Sequence, residues 1–348
     1  MFRDLGDLQA DRVGAALIGA GVATGRAVEA HVEPLDEGTG FLGSLARVRL
    51  RWEGDGPSSV VAKLPTTIPA NQDIVDHFGY DRREAGVYRD LRPWERAPSP
   101  RALAQEWDEA SGRGWLLLED LHDHVSGDGV AGATDDEAFA TVTALARWHA
   151  SFWNDDRLSA LDWLPASTDP VVAGYGNIFD MTWELAVDRL GGVGDDIAEA
   201  ARSARGWFDR AIAEFSTGNR TLVHGDARLD NVRFGPSGAV LLDFQLAAHG
   251  RGVYDVAFFC AGSLGTEDRR RLEPALLERY RATLAEAGVE IPAEEIWRDY
   301  RLGHMVNLPN PVSAIAVVTP PDERGAEFLR RNAVRGLAAV ADHVGLLG

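Results

Sequence analysis

Residues 221–245, TLVHGDARLDNVRFGPSGAVLLDFQ, gather polar side chains between two apolar runs. The runs, 221–223 and 239–242, are typical of buried strand ends, and the segment before the second run predicts a hairpin. The polar residues are His224, Asp226, Arg228, Asn231 and Asp243. A strand that ends at His-x-Asp, with an Asn five residues on and a second Asp beyond a hairpin, is typical of phosphoryl-transfer sites.

Each of these side chains suits one task in phosphoryl transfer, a reaction that needs positioning and charge compensation. Asp226 is predicted to accept a hydrogen bond from the attacking hydroxyl and to take its proton. Asn231 and Asp243 offer the hard oxygen ligands that Mg²⁺ prefers. Arg228 either binds the γ-phosphate or is a surface arginine, and both interpretations stay open. His224 is predicted to brace the loop by hydrogen bonds.

Three consecutive antiparallel strands are predicted near the N-terminus, over His31–Leu35, Ser44–Trp52 and Ser58–Leu64. The turn between the first two is rich in glycine, which lets backbone amides approach phosphate groups closely. The turn residues predicted to contact the nucleotide are Gly40, Phe41, Leu42 and Gly43.

Lys63 ends the third predicted strand. A lysine in this position usually extends into solvent, but after a glycine-rich hairpin it is predicted to bind nucleotide phosphates. A helical stretch is predicted at about 72–91, and Glu84 lies in it, 21 residues after Lys63. Glu84 is therefore predicted to orient Lys63 toward the α- and β-phosphates, with a surface helix charge as the alternative.

A further apolar strand is predicted over Trp115–Leu118, and the polar, glycine-rich sequence after Leu121 indicates a domain boundary. The expected domains are 1–121, a nucleotide-binding lobe, and 122–348, a helical lobe with the catalytic loop and acceptor pocket. Backbone groups around Glu119 and Leu121 are expected to bind adenine. Because strands precede this boundary and helices follow it, the pattern indicates an α+β, two-lobe fold.

The C-terminal half is predicted to be mainly helical. A capping box, Thr134–Glu137, predicts a helix start, and further helices are predicted over 177–217, from 266 to about 287, from Pro292, and over about 322–345. His149 lies on the apolar face of the first of these helices, which favours a hydrogen-bonded core histidine over a catalytic one.

Two acidic features of this half allow two interpretations each. Asp255 follows Gly252 at a helix start and is predicted to be an N-cap, with a buried brace for the loop backbone as the alternative. Asp180, Glu184 and Asp188 share one helix face, which is either solvated or an acidic wall for a cationic substrate.

The composition narrows the partners of the chain. The 348 residues carry a formal net charge of −19, which argues against nucleic acid and anionic membrane surfaces as partners. The single cysteine, Cys260, fits a reducing compartment, and no apolar run is long enough to span a bilayer. We therefore expect a cytoplasmic protein. The expected partner is a small-molecule hydroxyl acceptor, and the expected state is a monomer or homodimer.

The motif pair His224-Gly-Asp226-(four residues)-Asn231 and Asp243-Phe-Gln resembles that of the aminoglycoside phosphotransferase and choline kinase superfamily. Within it, the chain looks closest to the bacterial ecdysteroid-kinase-like phosphotransferases. Similar segments in matching positions are 61–65, 83–88, 118–121 and 146–150. The resemblance covers roughly 31–280 and implies a bilobal protein-kinase-like fold, ATP and Mg²⁺, with helices at 155–217 and after 265 shaping the acceptor pocket. Gln245 departs from the glycine that protein kinases carry there.

Three other functions compete with that of a small-molecule kinase. Only eleven residues separate Asp243 from Asp255, which leaves no room for the activation segment of a protein kinase. A catalytically silent, kinase-like nucleotide-binding module is the alternative, although it predicts the loss of at least one key residue. A metal hydrolase would leave Lys63 and the glycine-rich hairpin unexplained.

The sequence leaves the acceptor open. The excess of acidic over basic residues is compatible with an amino sugar or aminoglycoside as acceptor. The apolar run Ala314–Val318, with Trp153 and Phe179, suits a lipophilic alcohol or a hydroxyacyl compound. Fold and motifs alone do not separate these acceptors.

Overall fold

The computed structural model describes residues 2–35, 43–166, 174–320 and 322–347. The chain divides into two compact units. The first comprises Met1–Asp123 and Phe244–Leu246, and the second comprises His124–Asp243 and Ala247–Gly348. Among the described residues, no helix combines the length and apolar character that crossing a bilayer requires.

The first unit is built on one antiparallel sheet. Its strands are β1 (Arg26–Pro34), β2 (Gly43–Glu53), β3 (Ser59–Pro65), β4 (Ala102–Asp108) and β5 (Arg113–Glu119). They are arranged in the order β1-β2-β3-β5-β4, so β3 and its Lys63 are central. The predicted strands are confirmed, except that β1 begins five residues earlier than expected. The strand β4 was not predicted, because its sequence, ALAQEWD, is poor in β-branched residues.

Alternate residues of the central strands form the core of this unit. Ala46 and Val48 of β2 and Val60 and Ala62 of β3 are fully buried, as the two-residue period of a strand requires. The helix α1 (Ala10–Gly19) belongs to the same cluster through buried side chains such as Leu17.

The helical stretch predicted at about 72–91 is confirmed, and the structure divides it into shorter elements. The structure has α2 (Pro69–Phe78), α3 (Tyr80–Gly86) and a π-helical turn over Val87–Leu91. The break lies at Gly79, whose φ of +66° is left-handed and ends α2. The chain then resumes as α3, a short helix in which Glu84 and most of the other residues are buried.

The second unit is mainly helical. Its helices are α4 (Asp135–Ser151), α5 (Tyr175–Arg189), α6 (Asp195–Phe215), α7 (Val253–Ser263), α8 (Thr266–Glu286), α9 (Ala293–Asn307), α10 (Pro309–Val317) and α11 (Glu323–His343). Its short strands are β6 (Val125–Ser126), β7 (Thr221–Val223), β8 (Val232–Gly235), β9 (Gly238–Leu241) and β10 (Ala248–Gly250). Single helical turns occupy Leu5–Asp7, Pro93–Glu95, Asp156–Ala160, Leu229–Asn231 and Val344–Leu346.

Most helix boundaries in this unit follow the sequence signals. The capping box is present, since the Thr134 side chain accepts from the Glu137 backbone and the Glu137 side chain accepts from that of Thr134. The helical stretch predicted over 177–217 is confirmed as α5 and α6, and Gly191 and Gly192 adopt positive φ between them. Pro292 caps α9 rather than occupying its first turn.

One hydrophobic cluster of the second unit is formed by the facing sides of α5, α6, α9, α10 and α11. Cys260 of α7 is fully buried, and burial raises the pKa of its thiol to about 12. The thiol is therefore neutral and structural, as its apolar neighbours indicate.

Candidate active site

The loop His224–Asn231, called the 224–231 loop, is fixed at its start by a buried carboxylate. Asp255 accepts hydrogen bonds from the backbone N–H groups of His224 (2.6 Å) and Gly225 (2.9 Å). It lies in the first turn of α7 and is fully buried. The preferred prediction, an N-cap, is therefore wrong: Gly252 occupies the N-cap position, and the carboxylate bonds the loop amides instead of those of its own helix.

Asp255 is itself held by a chain of hydrogen bonds through two further side chains. The carboxylate accepts from His149 Nε2 at 2.9 Å, and His149 Nδ1 lies 2.9 Å from the Tyr280 hydroxyl. Burial raises the pKa of Tyr280 well above its usual value, so the phenol stays neutral and donates to His149. The predicted hydrogen-bonded core histidine is confirmed.

His224 connects the loop to the segment after β9. Its Nε2 donates to the carbonyl oxygen of Leu242 at 2.9 Å, and its Nδ1 accepts from the backbone N–H of Asp226 at 3.2 Å. One donor and one acceptor nitrogen describe a neutral imidazole. His224 therefore braces the loop, as predicted.

Asp226 and Asn231 are bonded directly to each other. Asn231 Nδ2 donates to Asp226 Oδ2 at 2.9 Å and to the Asp226 carbonyl oxygen at 3.0 Å. Both of these bonds are made by the nitrogen of the Asn231 side-chain amide. Its oxygen, Oδ1, accepts no hydrogen bond from the described part of the chain. A neutral oxygen held in this way suits a magnesium ligand.

The hairpin of β8 and β9 brings Asp243 to the same end as Asn231. Val232 pairs with Leu241, and the Leu242 N–H donates to the Asn231 carbonyl at 2.9 Å, so Asp243 follows one residue later. Asp243 adopts a φ of +66°, which costs a non-glycine residue about 1 kcal/mol. Such strain is concentrated at functional sites. Asn231 and Asp243 together fit a site for Mg²⁺, because both offer hard oxygen atoms.

Arg228 is not a freely solvated surface residue. Its side chain is 25% exposed, and its Nε lies 3.4 Å from Asp226 Oδ2. The charge of Asp226, with smaller effects from Asp230 and Asp243, raises the pKa of Arg228 despite its burial. Its guanidinium carbon lies 5.7 Å from the centre of the Phe328 ring. The surface interpretation is therefore wrong, and the contact with a γ-phosphate stays a prediction.

In the first unit, Lys63 and Glu84 form the predicted pair. Lys63 Nζ lies 2.6 Å from Glu84 Oε2, and the two side chains are 13% and 4% exposed. A short, mostly buried ion pair fixes the direction of a flexible lysine. Glu84 is thus not a surface charge.

Sequence reasoning missed two residues beside this pair. Gln245 Nε2 donates to Asp81 Oδ1 at 3.1 Å, and the Phe244 N–H lies 3.4 Å from Glu84 Oε1. Burial raises the pKa of Asp81 to about 6. The available signal was the spacing, because residues three apart share a helix face and place Asp81 beside Glu84.

The remaining predicted nucleotide contacts are only partly described. Gly40, Phe41 and Leu42 lie outside the described residues, and Gly43 begins β2 opposite Pro65. Glu119 ends β5, and its Oε1 accepts from the Arg101 N–H at 2.8 Å. Leu121 follows in a half-buried position. Their contacts with a nucleotide stay predictions.

A second cluster of possible ligands, Glu273, His304 and His343, is buried in the second unit. The two imidazoles are stacked with centres 4.8 Å apart and planes at 9°, so their in-plane lone pairs do not converge on one ion. Glu273 Oε1 already binds Arg269, His343 and the Tyr300 hydroxyl. This cluster is therefore a structural network.

Comparison with known proteins places the chain in a family. The model of the phosphotransferase enzyme family (APH) matches residues 43–291, more than half of the chain. The chain belongs to the phosphotransferase enzyme family. The superfamily resemblance predicted from the sequence is thereby confirmed, whereas the closer likeness to ecdysteroid-kinase-like proteins stays a prediction. No curated protein sequence matches the chain.

Several solved structures are similar in fold to this chain over most of their own length. The choline kinase of Cryptosporidium parvum is 12% identical, with a TM-score of 0.59 and 91% and 90% of the two chains covered. The Plasmodium vivax ethanolamine kinase is 12% identical, with a TM-score of 0.54 and coverages of 89% and 82%. APH(2")-IIia, in complex with GDP and kanamycin, is 14% identical, with a TM-score of 0.53 and coverages of 81% and 84%. The predicted α+β fold is confirmed.

Proposed function

We propose that the chain transfers the γ-phosphoryl group of ATP to a hydroxyl group of a small acceptor. The observation that carries this proposal is the 224–231 loop, in which Asp226 and Asn231 are bonded together beside Arg228 and at the end of the hairpin that leads to Asp243. Phosphoryl transfer requires these groups, a base, metal ligands and a cation, in one place. Family membership supports the reaction class.

Asp226 acts on the acceptor hydroxyl. Its carboxylate accepts the hydroxyl hydrogen bond, and as the acceptor oxygen forms its bond to Pγ, the proton passes to Asp226. The bond between Pγ and the β,γ-bridging oxygen breaks, and ADP leaves. Asn231 holds the carboxylate orientation through its 2.9 Å hydrogen bond.

Asn231 and Asp243 would hold Mg²⁺ through their side-chain oxygens. Bound there, the ion would offset negative charge on the phosphate groups. Arg228 adds a fixed positive charge next to Asp226, and its guanidinium makes no hydrogen bond to any described residue. Its N–H groups therefore remain for an anionic partner, which supports a contact with the γ-phosphate.

Lys63, of the first unit, binds the α- and β-phosphates in this proposal, with Glu84 fixing its direction. The nucleotide complexes of proteins of the same fold, such as APH(2")-IIia with GDP, support a nucleotide as donor. ATP and Mg²⁺ are thus the expected donor and metal.

The alternative is a nucleotide-binding module without turnover. It predicts that a key residue is missing, whereas Lys63, Asp226, Asn231 and Asp243 are all present. We therefore favour the enzyme.

The acceptor class stays open between an amino sugar or aminoglycoside, a lipophilic alcohol and a hydroxyacyl compound. Asp180, Glu184 and Asp188 are exposed on α5, and Asp180 pairs with Arg205 at 2.8 Å. This pairing favours the solvated interpretation of that acidic face. The acceptor must therefore be found by experiment.

A coupled ADP-release assay over alcohol, amino-sugar and hydroxyacyl panels, with mass spectrometry of the products, tests the proposal. We expect Mg-ATP-dependent ADP release and one product heavier by a phosphoryl group. No turnover with any acceptor, together with no ATP binding in calorimetry, would refute a kinase. ATP binding without turnover would favour the silent module.

A further inference from the structure

The guanidinium of Arg228 needs a support beyond its ion pair with Asp226. Arginine is long and flexible, and this one makes no side-chain hydrogen bond within the described residues. Its second contact is the ring of Phe328, whose centre lies 5.7 Å from Cζ. A cation over an aromatic face is attracted to it without losing its hydrogen-bonding groups. The ring thus restrains the guanidinium while leaving its N–H groups for a ligand.

Phe328 comes from α11, one hundred residues later in the chain. On a helix, residues spaced by three or four share a face, and Phe328 shares its face with Arg324, Arg331 and Arg335. These arginines bind one short segment, residues 128–130. Arg324 pairs with Asp128 at 2.7 Å, Arg331 donates to the Val130 carbonyl at 2.8 Å, and Arg335 donates to the Gly129 carbonyl at 2.8 Å.

The same segment touches the 224–231 loop. The Gly129 N–H lies 3.4 Å from Asp230 Oδ1. A Cβ atom at Gly129 would lie 2.2 Å from Asp230 Oδ2 and 2.8 Å from the Phe328 ring. A larger residue at this position would therefore require the Asp230 side chain or the Phe328 ring to move. The face of α11, the 128–130 segment and the loop are therefore packed against one another at Gly129.

We propose that Phe328 is a positioning residue of the phosphotransferase: its ring, on the face of α11 whose arginines bind residues 128–130, sets the direction of the Arg228 guanidinium beside Asp226. This inference rests on the proposed function, because it assumes that Arg228 acts in the transfer. Phe328 touches no reacting atom and works through Arg228. Through Phe328, the helix α11 contributes to the reaction, although none of the site residues predicted from the sequence lies in it.

The test compares Phe328→Leu, which removes the aromatic face, with Phe328→Tyr, which keeps it. Val334→Ala, an apolar truncation at an exposed position of the same helix, is the matched control. The readout is ADP release from Mg-ATP with water as acceptor. We expect Phe328→Leu to lower kcat about fivefold, the effect of one partly exposed cation–π contact. KM for ATP should stay within about twofold, and Phe328→Tyr should restore kcat.

A double-mutant cycle separates positioning from a general packing defect. In an Arg228→Met background, Phe328→Leu should cause no further loss, because the group that it positions is gone. An equal loss in both backgrounds overturns the proposal, as does an unchanged kcat in Phe328→Leu. If Arg228→Met itself retains full turnover, the assumed role of Arg228 fails and the proposal falls with it.

A second measurement does not depend on turnover. In ¹⁵N-labelled protein, the Nε–Hε signal of Arg228, identified by its loss in Arg228→Lys, should carry a ring-current shift. That shift should disappear in Phe328→Leu and persist in Val334→Ala. A signal that Phe328→Leu leaves in place overturns the proposal even if the enzyme is active. Absence of ATP binding would instead refute the proposed function and leave the ring–guanidinium contact to be judged by this signal.

Discussion

Replacing Asp255 by Asn removes the charge that fixes the start of the 224–231 loop. In the wild type the carboxylate accepts from two backbone N–H groups and from His149, at 2.6, 2.9 and 2.9 Å. An Asn side chain keeps one accepting oxygen and turns an NH₂ group toward a donor. At least one fully buried N–H group is then left without an acceptor.

The cost follows from these contacts. A hydrogen bond to a charged group contributes about 1.5–3 kcal/mol, and an unsatisfied buried donor costs about 1–3 kcal/mol. We expect Asp255→Asn to lower the free energy of unfolding of the second unit by roughly 3 kcal/mol, or its Tm by roughly 5–15 °C. A loop displaced by about 1 Å should also lower kcat by up to about a hundredfold.

Thermal unfolding followed by circular dichroism and ADP release by the folded fraction measure the two effects. Asp188→Asn, at an exposed position of α5, is the control and should change neither. A Tm for Asp255→Asn within about 2 °C of the wild type, with unchanged kcat, would show that the carboxylate does not brace the loop.

Three further predictions concern the nucleotide site and the buried histidine. Glu84→Gln removes the charged partner of Lys63, so the Kd for ATP in calorimetry should rise about tenfold; an unchanged Kd would contradict the orienting role. Asp243→Asn should weaken binding of Mg-ATP but not of ATP in EDTA, because it removes a charged metal ligand; equal losses would argue against metal binding. Burial, with the charges of His343 and Arg269, lowers the pKa of His304 well below 6.5. The unfolded chain therefore takes up a proton that the folded chain does not, and Tm should fall as the pH drops below about 6.5. His304→Leu should reduce that slope between pH 5.5 and 7, and an identical slope would refute the assignment.

Local patterns predicted the strands around Lys63 and the hairpin to Asp243, because both depend on short-range periodicity and turn residues. Helix ends depend on backbone conformations that local patterns do not specify. Gly79 divides the helical stretch predicted at about 72–91, and the sequence alone does not show that this glycine adopts a positive φ. The strand β4 was missed because its residues have low strand propensity, and pairing with β5 stabilises it.

Contacts between residues that are far apart in the chain were not predicted from the sequence. The position of Asp255 after Gly252 suits an N-cap. Only the fold shows that its carboxylate accepts hydrogen bonds from backbone N–H groups of the 224–231 loop instead. Phe328 lies one hundred residues from Arg228, and no local pattern links an aromatic residue on a helix to an arginine on a loop. Gln245 likewise has no local signal for its bond to Asp81.

The proposed reaction is tested most directly by Asp226→Asn, a change that keeps the size of the side chain and removes the base. We expect the variant to fold, to bind Mg-ATP with the Kd of the wild type in calorimetry, and to release ADP at least about a hundredfold more slowly with the acceptor found in the panel. ADP release at the wild-type rate would contradict the central claim that Asp226 takes the proton of the attacking hydroxyl.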